Sequence, residues 1–70
     1  MEDQTFKVIE LAGASQESIE GAIQQALSRA KESLHGLSWF QVTEIRGRVA
    51  DGKPAQYQVM LKVGFELDRS

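Results

Sequence analysis

The chain has 70 residues and a formal net charge of −2, from 8 basic and 10 acidic side chains, with one histidine and no cysteine. This length predicts a single domain over residues 1–70, and folding such a chain buries only about 60% of the surface that the unfolded state exposes. Since neither disulfides nor a zinc site of the thiolate or imidazole type can be built, self-association is the expected source of extra stability.

The charge balance and hydropathy also bear on function. Basic and acidic residues are interspersed, so the chain lacks a basic face for general binding of nucleic acid or of an anionic membrane. No apolar run approaches the roughly 20 residues that span a bilayer, and nothing resembles a signal peptide. We therefore expect a cytoplasmic protein with no nucleic-acid or membrane partner.

The first half of the chain predicts a strand and then a helix. Residues 5–11 are rich in β-branched and aromatic types and predict a strand. The small residues 12–14 predict a break, after which Ser15 is expected to cap a helix of about 20 residues. Gly36 is the left-handed residue expected at the end of that helix. Apolar residues with helical spacing draw one stripe, formed by Ile19, Ala22, Ile23, Ala26, Leu27, Ala30 and Leu34.

A second strand is predicted to begin near Ser38, but its alternation slips. Phe40 and Val42 share one parity and are assigned to the core, whereas Ile45 falls on the other parity. One extra residue would restore the pattern, so we expect a β-bulge near residues 43–44.

A hairpin and a regular third strand complete the predicted fold. Asp51 and Gly52 are typical of a two-residue turn, and Pro54 is tolerable only at the very start of the following strand. The apolar face of that strand carries Tyr57, Val59, Leu61, Val63, Phe65 and Leu67, and the other face carries Gln56, Gln58, Met60, Lys62, Gly64 and Glu66. The order β-α-β-β belongs to the α+β class. Two long strands outrun one helix, which again favours self-association.

Trp39, the only tryptophan, is assigned to the sheet face opposite Phe40 and Val42. Gln58 is assigned to the same face on the adjacent antiparallel strand. An indole can stack on an aromatic ring, and a primary amide can bond the polar edge of such a ring. The alternative is an interface tryptophan that packs on a neighbouring subunit beside a solvated glutamine.

Other side chains give weaker signals. Arg46, Arg48 and Lys62 could bind an anion such as phosphate, although arginines on small proteins are mostly solvated or ion-paired. Glu10 and Glu44 could share a hard cation, but two scattered carboxylates are weak support for a metal, and we predict none.

Glycines interrupt two strands, and catalytic groups are lacking. Gly47 and Gly64 mark either a bend or a close approach of another group. No nucleophile is paired with a base by its spacing, and no glycine-rich phosphate loop is present. The sequence therefore predicts a protein that is not an enzyme.

Five stretches, in this order and spacing, carry a family resemblance across nearly the whole chain: FKVIEL at 6–11, LSWFQV at 37–42, IRG at 45–47, DG at 51–52 and YQVMLKVGFEL at 57–67. Together they resemble dodecin, a family of small flavin-binding proteins, and its bacterial members in particular. The resemblance implies a three-stranded antiparallel sheet wrapped around one helix, assembled into a hollow homododecamer.

The resemblance also implies a ligand and a site. Flavins would bind in antiparallel pairs between the Trp39 indoles of two subunits, with Gln58 at the polar edge of the ring. Arg46 matches an arginine of the bacterial members, so FMN is expected, with riboflavin or a related flavin as the alternative. Glu44 completes the predicted cofactor contacts. Two positions depart from the family pattern, since Glu66 replaces a frequent arginine and Gln56 a frequent histidine.

The implied role is flavin storage and sequestration, with quenching of the excited flavin by the stacked indole and no substrate turned over. Coenzyme A is a second ligand associated with the family. A structural or interaction oligomer with incidental ligand binding is the alternative, and a flavoenzyme ranks last because paired, capped flavins leave little room for a reactant.

Overall fold

The computed structural model describes residues 3–67, which form three strands and one helix. These are β1 (Phe6–Ser15), α1 (Ile19–Ser33), β2 (Leu37–Ala50) and β3 (Lys53–Glu66). Both pairings are antiparallel and the strand order is β1-β3-β2, so the last strand lies at the centre. The predicted β-α-β-β order and three-stranded antiparallel sheet are confirmed.

β1 is longer than the sequence predicts. The small residues 12–14 continue the strand, and the ladder with β3 extends until Ser15 lies opposite Tyr57. The predicted break is wrong because ladder hydrogen bonds from the central strand keep these residues extended. Gly13 has a packing role, since a Cβ there would overlap the carbonyl oxygen of Ala22 in α1.

α1 consequently starts later than predicted and has 15 residues. Its N-cap is Ser18, whose Oγ accepts a hydrogen bond of 2.9 Å from the backbone N–H of Gly21. The prediction of Ser15 as the cap is wrong because the strand runs up to it. Its Oγ instead accepts bonds from the backbone N–H groups of Glu17 and Ser18 and closes the connecting turn.

The end of α1 also differs from the prediction. The C-cap is Leu34, with an extended backbone. Gly36 has the expected positive φ of 89° but lies two residues beyond that cap, so it does not terminate the helix. It shapes the loop, and its carbonyl accepts a 2.8 Å bond from the Glu66 N–H.

α1 packs on β1 and β3 and barely reaches β2. The side chains buried within the described residues are Ala22, Ala26, Ala30, Val59, Leu61, Val63 and Phe65. A helix of this length spans about 22 Å, whereas β2 and β3 each run roughly 46 Å. The described residues extend 54 × 20 × 15 Å, which confirms that the strands outrun the helix.

One of the three register shifts between β2 and β3, and the hairpin that joins these strands, follow the sequence-based prediction. The register shifts between Val42 and Glu44, as predicted, and the extra residue Thr43 donates a 3.0 Å bond from Oγ1 to the Met60 carbonyl. Asp51 and Gly52 both have positive φ, 54° and 71°, which is the type I′ turn of a two-residue hairpin. Pro54 is the second residue of β3, at the tolerated end of the strand.

Phe40 requires a correction. It lies opposite buried Val63 on the helix side of the sheet, yet 46% of its surface is exposed because α1 does not cover β2. Val42 is partly buried against the core, while Ile45 is 53% exposed. Phe40 therefore faces the core side without belonging to the core of the protomer. Within the described residues, 3–67, no helix is both long and apolar enough to cross a membrane.

Candidate functional site

The outer face, defined here as the sheet face turned away from α1, carries all four predicted cofactor contacts. Odd-numbered residues of β3 from Val59 to Phe65 are buried against the helix, so the even-numbered ones lie on the outer face. Residues that are paired across strands share a face. The pairs that place the predicted residues there are Trp39 with Gly64, Glu44 with Met60, and Arg46 with Gln58. The prediction that Trp39 and Gln58 share this face on adjacent strands is confirmed.

The indole of Trp39 lies over the backbone of Gly64. A Cβ added at Gly64 would overlap the indole atoms Cε2, Cζ2 and Nε1. The ring of Phe6, on β1, meets the indole edge-on, with the centroids 6.0 Å apart and an interplanar angle of 65°. The glycine thus marks a close approach by a side chain rather than a bend. With 37% of Trp39 exposed, the indole is held by all three strands and retains a solvent-accessible surface.

Gln58 belongs to a chain of polar side chains. Arg46 Nε donates a 2.9 Å bond to Gln58 Oε1, and Gln58 Nε2 donates a 2.9 Å bond to Gln56 Oε1. Since a primary amide has two N–H donors and two acceptor lone pairs, Gln58 keeps one of each. The bond to Arg46 uses one of the five guanidinium donors.

The indole and the Gln58 amide do not meet within one protomer. Trp39 lies over Gly64, and Gln58 is six positions before Gly64 in β3, which corresponds to about 20 Å. That separation exceeds the length of a fused three-ring ligand. One protomer therefore presents two half-sites that are separated along its outer face.

The remaining candidates are distributed along the same face. Arg48 lies opposite Gln56, one side-chain repeat beyond Arg46, while Lys62 pairs with Gln41 and Glu10 nearer the indole. The three cations therefore do not form one cluster.

Glu10 and Glu44 lie on the two edge strands with β3 between them, and their backbones are about 12 Å apart because their partners on β3 are two residues apart. Within residues 3–67 no acidic or imidazole side chains gather in a group of three that could hold a metal ion. The two carboxylates therefore stand on separate strands and belong to no such group.

Two residues at these half-sites have no role in the sequence-based hypothesis. Gln56 shares its strand parity with Gln58, which is a usable signal for a common face. Phe6 reaches the indole only because β1 pairs with β3. That long-range pairing has no local sequence signal.

The chain is similar in both sequence and structure to proteins called dodecins. The protein-family model described as Dodecin matches residues 5–68. A dodecin of Thermus thermophilus is 48% identical over 65 residues, which cover 93% of this chain and 94% of that protein. The structure of dodecin from Streptomyces coelicolor has a TM-score of 0.90 and 41% identity over the whole of both chains. Dodecin from Streptomyces davaonensis has a TM-score of 0.89 and 43% identity, covering 97% of this chain and all of its own.

The fold and the outer face define a small β-α-β-β protein whose uncovered sheet carries an aromatic platform and an ordered amide, which suits non-enzymatic binding of small ligands. The chain belongs to the dodecin family. That family is known for flavin binding, and its members assemble as oligomers. The family resemblance carried by the five sequence stretches is confirmed.

Proposed function

We propose that this protein binds flavin without turning it over. Its role is to store and sequester the flavin and to quench its excited state. The observation that carries this proposal is the indole of Trp39, seated over Gly64 and against Phe6 with part of its surface open to solvent. A fixed, partly exposed indole provides a flat surface for stacking an aromatic ring. The membership of the dodecin family supports the same ligand.

The proposed flavin site is composite. A flavin ring that stacks on one Trp39 lies too far from the Gln58 of the same protomer, because about 20 Å of β3 separates them. We therefore assign the stacking indole and the edge-binding amide of one flavin to different protomers. Flavin pairs stacked between two indoles, inside a hollow homododecamer, satisfy this requirement.

The proposed cofactor is FMN. Arg46 and Arg48 lie on one face of β2 beside Gln58 and Gln56, and guanidinium groups bind phosphate in bidentate fashion. Glu44 lies on the same strand and face and stays a proposed contact. Riboflavin is the alternative flavin. Coenzyme A is a further proposed ligand to which we assign no residues, and the cytoplasm is the proposed compartment.

Quenching follows from stacking. An indole in contact with an excited flavin can donate an electron and take it back, which returns the flavin to its ground state without reaction. No group beside the stacked rings needs to act as an acid, a base or a nucleophile.

Trp39→Ala tests this proposal. Wild-type protein should quench the fluorescence of added FMN, and Trp39→Ala should weaken binding by about 30-fold or more, since an aromatic anchor at the centre of a site contributes about 2 kcal/mol or more. Light scattering should show the assembly retained. Gln25→Ala, on the exposed side of α1 and away from the outer face, is the matched control and should quench like the wild type.

The contrary result favours the alternative function. If the wild type leaves FMN emission unchanged and Trp39→Ala dissociates the assembly, the indole joins subunits and the protein is a structural or interaction oligomer.

A further inference from the structure

The hydrogen bonds that link Arg46, Gln58 and Gln56 can run in only one direction. The oxygen and nitrogen of a glutamine amide are similar in size, and only their hydrogen-bond partners tell them apart. Arg46 is a donor and has no acceptor, so the Gln58 oxygen must face it. The Gln58 nitrogen then faces Gln56, whose Oε1 accepts the bond at 2.9 Å.

This direction determines what Gln58 offers to a ligand. One N–H and one carbonyl lone pair remain, in a fixed order along the outer face. A ring edge that carries a carbonyl beside an N–H, as an imide does, can form two parallel hydrogen bonds with such an amide. A free amide would turn to suit either order of groups, whereas an amide held at both ends favours one order.

We propose that Gln56 is a positioning residue that, together with Arg46, holds the Gln58 amide in one direction and so gives the site its selectivity for ligands with an imide edge. The proposal rests on the proposed flavin binding and deepens it. Gln56 and Gln58 are both partly buried, which limits competition from water for the bond between them. Arg46 alone leaves the nitrogen end of the amide without a protein acceptor.

Three substitutions separate acceptor chemistry from shape. Gln56→Glu keeps an oxygen acceptor at the same length of side chain. Gln56→Met keeps the length and provides only a weak sulfur acceptor. Gln56→Lys offers donors alone and so opposes the Gln58 nitrogen.

The experiment compares riboflavin with 3-methylriboflavin by titrating the quenching of their fluorescence. In 3-methylriboflavin a methyl group replaces the hydrogen of the imide N–H. Neither probe carries a phosphate, so a change of charge near Arg48 cannot alter the affinity by acting on a phosphate group. Wild type and Gln56→Glu should prefer riboflavin by about 10-fold or more, which corresponds to about 1.4 kcal/mol. Gln56→Met and Gln56→Lys should bind riboflavin about 10-fold more weakly than the wild type, with little change for 3-methylriboflavin.

The ratio of the two affinities is the decisive readout, because a general loss of structure would weaken both probes together. Light scattering on each variant checks assembly, and Gln56→Lys carries the test if Gln56→Met fails to assemble. The proposal is overturned if the donor-only and weak-acceptor variants keep the wild-type ratio. In that case the wild type still binds flavin and the proposed function stands. If the wild type binds neither probe, the proposed function fails, and the role of Gln56 fails with it.

Discussion

The position of Trp39 is set by residues on two other strands. The indole starts from β2, lies over Gly64 on β3 and meets Phe6 on β1. Because glycine has no side chain, the ring can approach the backbone of the central strand. The aromatic platform therefore depends on Trp39, Gly64 and Phe6 together. The indole can lie on β3 because Gly64 has no Cβ.

Gly64→Ala should therefore disable the platform while leaving Trp39 in the chain. The added methyl would overlap three indole atoms, so the ring must leave its place over β3. We expect a loss of FMN affinity of about 30-fold or more, comparable to the loss of the anchor itself. Fluorescence titration measures this loss.

Gly52→Ala is the matched control for that experiment. A Cβ at Gly52 meets nothing within 4 Å, although its φ of 71° disfavours alanine. Stability should fall by about 1 kcal/mol, with FMN affinity unchanged. Unaltered affinity in Gly64→Ala would contradict the proposed seat of the indole.

At the level of elements, α1 and β1 are in backbone contact at Gly13. A Cβ there would overlap the carbonyl oxygen of Ala22 and lie 3.1 Å from the Cβ of Ala26. Both residues belong to the buried alanine stripe of α1. Small residues on both surfaces thus allow the helix to lie directly on the edge strand.

Gly13→Ala should separate these two elements. The helix cannot shift away from β1 without disturbing its contacts with β3, so we expect a loss of about 1–3 kcal/mol in the free energy of unfolding. Chemical denaturation at fixed protein concentration measures it, since oligomer stability depends on concentration. Ser28→Ala, on the exposed side of α1, should change stability by no more than about 0.5 kcal/mol. Equal stability of the two variants would argue against the close contact.

The sequence predicts the elements that have a strong repeat and misses their ends. The regular alternation of β3 and the apolar stripe of α1 are local signals, and both are confirmed for their central residues. At the ends, Ile19, Leu34 and Leu67 are exposed, which the pattern did not predict. The end of β1 is not local, because small residues such as Ala14 favour no strand and are held by pairing with β3. Ser15 and Ser18 are equally good caps, and only the length of β1 decides between them.

The candidate site was predictable by face but not by distance. Alternation places Trp39 and Gln58 on one face. Their separation depends on the register of β2 against β3, which shifts at three places. Only the bulge near Thr43 had a sequence signal, so the two half-sites could not be separated before the structure was known. The contacts of the flavin and the assembly stay predictions.

For the whole molecule, the helix side of β2 is an exposed apolar surface, because α1 leaves it uncovered. Phe40 and Ile45 are about half exposed there, and an apolar hollow opens between the start of α1, near Ile19, and the hairpin end of the sheet. The buried core of the described residues is small. Burial of these apolar side chains against further copies of the chain fits the oligomeric habit of the family and would add to the limited stability of the protomer.

Ile45→Lys should therefore prevent assembly. A charge placed in an apolar interface is costly to desolvate, so the particle mass measured by light scattering should fall toward that of the protomer. FMN quenching should disappear with it, because each proposed site needs two protomers. Gln25→Lys, on the exposed side of α1, adds the same charge and should leave mass and quenching unchanged. An unaltered mass for Ile45→Lys would show that other surfaces hold the oligomer together.

The chain has a single tryptophan, and that residue is the proposed flavin platform. All tryptophan fluorescence of this protein therefore comes from Trp39. Excitation in the near ultraviolet would follow loading and release directly, with no dye attached and no engineered label. Titration or stopped-flow mixing of the purified protein would then report occupancy from the protein itself, with one signal per protomer.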